Sequence, residues 1–339
     1  MTLNNLGLTV ALISTLSLTG LTAKAEELSV ATFVPPSHET VTGALAWFEK
    51  EIEERSGGTL TMKLYPAGQL GAGPTQQYKR AVEGVADITF GIAASTPTIF
   101  PKTMLAILPG KAVDAIDSTE RMWTIFEEHM ADEWSDVKVL AVGNPAGGMI
   151  ISTKNVSTIE GMKGAKIVPW AAMTAPVIKG MGAVPVQLDP TEHYTALSTG
   201  TIDGAISSIN NIMPPWNLDE VADFAVVNTP ATFNPVFFVM NKERYQNLSD
   251  AHRAIIDEIS GLPFSIELAR SFQDADESAL KWKDERIAEG KLNVEWIEVS
   301  AEERAKMEAA AAAGMEQIYA DYASRGVSNA REIYGALNQ

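Results

Sequence analysis

The spacing of hydrophobic and polar residues alternates along the chain between the period of a strand and the period of a helix, which predicts alternating strands and helices. The two-residue period of strands appears in "ELSVATF" and "TLTMKLY". Between them, "ETVTGALAWFEKEIEERSGG" places Leu45, Phe48 and Ile52 on one helical face and ends at Gly57–Gly58. After the glycine-rich segment "GNPAGGM", a second series of about equal size follows. This alternation predicts an α/β protein with largely parallel sheets.

The two series predict two lobes joined by hinge strands near Ile150 and Phe237. Helix-forming residues with an apolar stripe then run on to Glu289, after a break expected at Gly261 and Pro263. The helix after this break is long enough to brace both lobes. The predicted segments are a signal peptide (1–25), lobe I (26–149 plus 237–264), lobe II (150–236), an interlobe strut helix (265–290) and a C-terminal strand and helices that pack on the lobes (291–339).

The first residues predict export. An apolar run from Leu6 to Leu21 precedes Ala23 and Ala25, which form an A-x-A cleavage site, although the preceding "MTLNN" contains no lysine or arginine. The run is shorter than the roughly 20 residues that a membrane-spanning helix needs. We therefore expect cleavage after Ala25 and a monomeric protein in the periplasm.

Composition and motifs narrow the chemistry. The chain has 26 Lys+Arg against 43 Asp+Glu, a formal net charge of −17, which disfavours nucleic acid as a partner. The absence of cysteine excludes thiol catalysis and thiolate metal sites. The four histidines have no metal-ligand spacing, and the hydrolase elbow, the P-loop and the zinc-protease motif are all missing. We expect no catalytic residues, metal or cofactor; a secreted enzyme is the alternative class.

Several segments carry a family resemblance. In the same order along the chain, "ATFVPPSHE", "LYPAGQLGAG", "AVEGVADITFG", "STKNVSTIEGMKGAKI", "EHYTALSTGTIDGA" and "NPVFFVMNKERYQNLSDAHRAII" resemble the solute receptors of tripartite ATP-independent periplasmic (TRAP) transporters. The resemblance covers about Glu26 to Leu280. It implies a two-lobed periplasmic-binding-protein fold with hinge strands and a long helix across both lobes. It also implies capture of a small molecule in the interlobe cleft and delivery to TRAP permease subunits; a receptor that serves a sensor partner is the alternative.

Candidate ligand contacts lie where predicted strands end, because ligands of open α/β sheets bind outside the carboxyl ends of the strands. In "GMKGAKIVPWAAM", for example, the strand stops at Pro169 and Trp170 follows. The asparagines could instead cap helices, and Trp216 could cap its lobe. The candidates are Phe33, His38, Glu39, Ala94, Ser95, Trp170, Ser207, Asn210, Asn211, Trp216, Phe233 and Asn234.

The resemblance also bears on the charge of the ligand. Receptors of this kind that import organic acids usually hold the carboxylate with an arginine in a strand "K-I-R-V-P". Here the strand from Lys166 to Trp170 has no arginine, and Met149 and Ile150 stand where a second is often found. Aromatic faces beside Glu39 suit an ammonium group, through a cation–π attraction of ~0.5–2 kcal/mol. A small amine or amino alcohol is therefore favoured. The alternatives are an organic acid, held by backbone amides or Lys166, and a neutral or aromatic solute.

Overall fold

The computed structural model describes residues 25–112, 114–145, 148–230 and 234–339, so the signal-peptide prediction lies outside the described residues except for Ala25. Two β-sheets form the centres of two lobes. The strands are β1 (Glu26–Ala31), β2 (Leu60–Tyr65), β3 (Ile88–Ile92), β4 (Val137–Gly143), β5 (Gly148–Ser152), β6 (Lys166–Val168), β7 (Val184–Pro185), β8 (Gly204–Ser208), β9 (Phe224–Val227), β10 (Val236–Asn241) and β11 (Glu295–Glu298).

Helices cover the sheets, and a π-helical segment, Thr40–Leu45, leads into the first of them. The α-helices are α1 (Ala46–Ser56), α2 (Gln77–Val82), α3 (Ala115–His129), α4 (Ile159–Met162), α5 (Ala175–Gly180), α6 (His193–Ser198), α7 (Lys242–Gln246), α8 (Asp250–Ile259), α9 (Leu262–Ala288), α10 (Ala301–Ser324) and α11 (Ala330–Leu337). Within the described residues, no helix has both the length and the apolar character needed to cross a bilayer.

Strand order shows how the chain passes between the lobes. The lobe I sheet has the order β2-β1-β3-β10-β4, and the lobe II sheet the order β11-β9-β5-β8-β6-β7. The prediction of largely parallel sheets is partly wrong, because β10 runs antiparallel to β3 and β4, and β5 runs antiparallel to β8 and β9. Both β5 and β10 enter their sheet from the other lobe, without the helical crossover that sets a parallel direction.

Each lobe has a hydrophobic core built from the residues that the pattern placed inside. Phe48 and Ile52 on α1 are fully buried, as predicted. Phe48 stacks on Phe264 with ring centroids 4.2 Å apart, and Phe264 stacks in turn on Phe238 of β10 at 5.1 Å. The start of α9 is thereby fixed on the sheet of lobe I. The C-terminal part packs on both lobes, with α10 against α5 and α11 against α3.

Helix α9 braces both lobes, as the sequence predicted. It begins at Leu262, directly after Gly261, whose φ of 74° is the left-handed region that favours glycine. Leu268 and Phe272 of this helix belong to the lobe I core, whereas Ala279, further along, belongs to the lobe II core. One rigid element therefore contacts the apolar interior of both lobes.

A carboxyl group anchors the middle of α9 to lobe II. Asp276 Oδ1 accepts hydrogen bonds from Ser208 Oγ at 3.3 Å and from the backbone N–H of Asn210 at 3.1 Å. Burial raises the pKa of Asp276 to about 7; the two hydrogen bonds oppose the shift, and the charge of Glu39 adds to it. The junction between α9 and lobe II therefore contains a group that titrates near neutral pH.

The close approach of α10 to α5 depends on a glycine. A Cβ atom at Gly314 would overlap the backbone of Pro176 and Val177, while one at Gly335 in α11 would meet open space. We expect Gly314→Ala to destabilise the fold by about 1–3 kcal/mol through overpacking. Gly335→Ala is the matched control and should stabilise it by up to about 1 kcal/mol through helix propensity. Urea denaturation midpoints measure both; equal shifts for the two variants would contradict this packing.

The Asp276 carboxyl makes stability depend on pH. Its folded pKa lies above the unfolded value, so the folded state holds a proton that the unfolded state has lost. Wild-type stability should therefore fall, relative to Asp276→Asn, as pH rises from about 4 to 7, by at most about 1.4 kcal/mol per pH unit. Asp274→Asn removes an exposed carboxylate of the same helix and should follow the wild type. Denaturation curves at several pH values give the comparison, and parallel curves for all three proteins would refute the assignment.

Candidate functional site

A cavity of about 230 Å³ lies between the two lobes, and we call it the aromatic slot. Lobe I lines it with Phe33 and Phe90, α9 with Phe272, and lobe II with Trp170 and Trp216. Because elements of both lobes and the bracing helix surround it, the slot is the interlobe cleft that the two-lobed pattern predicted.

The rings of lobe I and α9 form one continuous wall. Phe33, after β1, stacks on Phe90 of β3 with centroids 5.5 Å apart. The ring of His38 lies 6.4 Å from that of Phe90 and meets Phe272 edge to face, also at 6.4 Å. Trp170 faces this wall from the end of β6, where Pro169 follows the last strand residue. Two aromatic faces on opposite lobes suit a flat apolar group between them.

One end of the slot is polar and joins the lobes directly. Asn210, in the 3₁₀ turn after β8, donates from Nδ2 to Glu39 Oε1 at 3.0 Å. Glu39 Oε2 lies 3.4 Å from His38 Nδ1. Nearby, Asn211 Nδ2 donates to Ser207 Oγ at 2.8 Å. We call Glu39, Asn210 and the Asp276 carboxyl behind them the carboxylate end of the slot.

The described lining of the slot carries no fixed positive charge. Burial lowers the pKa of His38, although the neighbouring Glu39 raises it in part. The backbone N–H of Thr40 lies 3.3 Å from His38 Nδ1, and Thr40 Oγ1 lies 3.0 Å from the same nitrogen. Among the described residues that line the slot, none is a lysine or an arginine.

Lys166 is directed away from the cleft. Its Nζ donates to the carbonyl oxygens of Gly200 at 2.9 Å and Thr201 at 2.8 Å, just beyond the end of α6. Lys166 begins β6, whereas the slot lies beyond the last residue of that strand, so the ammonium group is at the opposite end. Lys166 therefore does not replace the arginine that the sequence lacks.

A second cavity of about 190 Å³ adjoins the slot and shares Trp170 with it. We call it the polar chamber, and its lining includes Ala94, Ser95, His193 and Asn234. Burial lowers the pKa of His193 to about 4, so this imidazole is neutral at pH 7. The chamber therefore offers hydroxyl, amide and neutral imidazole groups, together with the carboxylate of Asp189, which lines both cavities.

The structure brings most of the predicted contacts together. The slot is lined by Phe33, His38, Glu39, Trp170, Asn210, Asn211 and Trp216, and the chamber by Ala94, Ser95 and Asn234. Ser207 is fully buried and lines neither cavity; Ser208 lines the slot instead, because neighbouring side chains of β8 point to opposite faces. The predicted contact Phe233 lies outside the described residues.

Sequence reasoning missed the contribution of α9. The apolar periodicity of the bracing helix includes Phe272 but does not indicate that this ring lines a ligand cavity, and it gives no role to Asp276. The two residues are four positions apart and therefore share one helical face. An acid between two core residues of the helix, Phe272 and Ala279, is the signal that could have identified Asp276. The turn from Asp189 to Thr191 was missed as well, although it also lines the slot.

Two protein sequences illustrate the relatives of the chain. The chain is 25% identical over 288 residues to the outer membrane transporter protein TsaT of Comamonas testosteroni. The aligned region covers 83% of this chain and 82% of that protein. The chain is 27% identical over 212 residues to the sialic acid-binding periplasmic protein SiaP of Vibrio cholerae, covering 61% and 65%.

Solved structures share the whole architecture. A TRAP solute-binding protein of Rhodoferax ferrireducens, in complex with copurified benzoate, superposes with a TM-score of 0.83 at 27% identity, covering 92% of this chain and 96% of that one. A marine metagenome TRAP solute-binding protein, co-crystallised with 3-hydroxybenzoate, has a TM-score of 0.84 at 24% identity, covering 93% and 97%, and shows the shared fold.

The family model for bacterial extracellular solute-binding proteins, family 7, matches residues 30–322. That match spans both sheets, the aromatic slot and α9. It agrees with the prediction of a receptor and with the prediction that the chain is not an enzyme. The chain therefore belongs to this family, the solute receptors of TRAP transporters.

Proposed function

We propose that this protein is a periplasmic receptor that captures a small aromatic solute in the aromatic slot and delivers it to TRAP permease subunits. The observation that carries this proposal is the pair of aromatic surfaces, from opposite lobes, around a cavity of about 230 Å³. Burial of one aromatic ring between such surfaces contributes about 1.5–3 kcal/mol. The benzoate found in the Rhodoferax ferrireducens protein supports an aromatic ligand.

The relatives favour an acid over the small amine that the sequence favoured. Benzoate and sialic acid, named for two relatives, are both carboxylic acids. An aromatic acid is therefore the first form of the proposal, with its carboxylate received by neutral donors such as Ser95 and Asn234 in the polar chamber. An aromatic amine is the second candidate, because Glu39 lines the slot and no described lysine or arginine does.

Ligand binding would couple to closure of the lobes. The chain leaves lobe I after Gly143 and returns before Val236, which supports hinges close to the predicted positions, although Ile150 and Phe237 themselves lie inside β5 and β10. A ligand that contacts Trp170 on one lobe and Phe33 on the other stabilises the closed arrangement by the free energy of the contacts that form only on closure.

Binding should depend on Trp170. We expect at least one of benzoate, benzyl alcohol and benzylamine to bind the wild type, and Trp170→Ala to weaken that ligand at least tenfold, about 1.4 kcal/mol. Trp296→Ala is the control, since Trp296 lies on the edge strand β11, outside the slot. Isothermal titration gives the affinities. If all three compounds fail to bind, or Trp170→Ala leaves affinity unchanged, the aromatic slot is not the ligand site.

Closure should shorten a distance across the cleft. The chain has no native cysteine, so Gln76→Cys and Thr195→Cys accept a pair of spin labels without further changes. Both residues are exposed. Gln76 is close in sequence to Pro74, and Thr195 to Thr191; Pro74 and Thr191 line the slot from opposite lobes. A binding aromatic solute should shift the measured distance distribution to shorter values. A pair within lobe I, at Gln76 and Lys50, should not change; an unchanged interlobe distance at saturation would argue against hinge closure.

A further inference from the structure

Hydrogen-bond acceptors with spare capacity meet at the carboxylate end of the slot. A carboxylate offers about four lone-pair positions, and the described partners of Glu39 are Asn210 Nδ2 and the His38 ring. Asn210 Oδ1 is buried and has no hydrogen-bond partner among the described residues. Leaving such an oxygen unsatisfied costs about 1–3 kcal/mol. Two acceptors on opposite lobes thus lie beside the space that the ligand would occupy.

The donors at this end are already engaged. Asn210 donates from Nδ2 to Glu39 and from its backbone N–H to Asp276. Ser208 Oγ also donates to Asp276, and Asn211 Nδ2 donates to Ser207 Oγ at 2.8 Å. The His38 ring also lines this end of the slot. Around Glu39, acceptors therefore outnumber the donors that could satisfy them.

The negative charge of Glu39 also favours a hydrogen-bond donor on the ligand. Glu39 contacts Asn210 from lobe I, and the described lining of the slot contains no lysine or arginine to balance its charge. Asp189 lines the slot too, but its side chain accepts the backbone N–H of Glu192 in a capping box. A ligand carboxylate placed against Glu39 would meet like charge and acceptors without protons. A donor group placed there would form charge-assisted hydrogen bonds.

We infer that Glu39, with Asn210, determines specificity by requiring a hydrogen-bond donor on the ligand: a hydroxyl or ammonium substituent of the aromatic solute. This inference rests on the proposed function, because it orients an aromatic ligand within the slot. The ring lies between Trp170 and Phe33, and the donor points to Glu39. Any carboxylate on the same ligand is directed away from Glu39, towards the polar chamber.

Methylation of a single hydroxyl group tests the inference. Benzyl alcohol is compared with benzyl methyl ether, and 3-hydroxybenzoate with 3-methoxybenzoate, by isothermal titration on the mature protein. We expect loss of the donor to weaken binding at least tenfold in the wild type. In Glu39→Met, which has a similar length and no acceptor oxygen, the same methylation should cost less than threefold. The double-mutant cycle separates the lost hydrogen bond from the bulk of the added methyl group.

Two further variants serve as controls for this test. Asp274→Asn removes a nearby exposed carboxylate and should retain the wild-type penalty for methylation. Asn211→Asp adds a carboxylate within the slot lining and should strengthen benzylamine relative to benzyl alcohol; their ratio in the wild type distinguishes an ammonium from a hydroxyl ligand. Equal methylation penalties in the wild type and Glu39→Met would overturn the inference and leave the proposed function intact. If none of the aromatic compounds binds, both the inference and the proposed function are wrong.

Discussion

The packing of α9 against both lobes is the constraint on which the rest of the structure depends. Leu268 and Phe272 fix the helix on lobe I, and Ala279 fixes it on lobe II. Between them, Asp276 reaches Asn210. Because one rigid helix carries all these contacts, the position of the lobe II loop relative to Glu39 follows from helix geometry, and the cleft acquires a defined polar end.

Within the cleft, desolvation decides which groups carry charge. The two histidines near the cavities have lowered pKa values because burial disfavours their charged forms. The same effect raises the pKa of Asp276. Glu39 escapes full burial and accepts a hydrogen bond from across the cleft. The site thus combines aromatic surfaces with the carboxylates of Glu39 and Asp189, and recognition depends on shape and hydrogen-bond polarity more than on ion pairing.

Sequence reasoning identified the cleft because strand ends are local features. Trp170 and Asn210 follow strands whose carboxyl ends meet at one edge of the lobe II sheet, so their convergence could be predicted. Which face each strand turns to the cleft depends on tertiary packing, so the sequence does not distinguish the fully buried Ser207 from Ser208, which lines the slot. The sequence also could not indicate where the Lys166 side chain points, because the carbonyl groups that it contacts, at Gly200 and Thr201, are distant in sequence.

The C-terminal helices α10 and α11 also connect the two lobes. Helix α10 packs closely on α5 of lobe II, whereas α11 packs on α3 of lobe I. The turn between them, at residues 325–329, is therefore a further connection between the lobes, in addition to the crossing strands and α9. In the proposed closure, the length of this turn would limit how far the lobes separate, although the turn lines neither the slot nor the chamber.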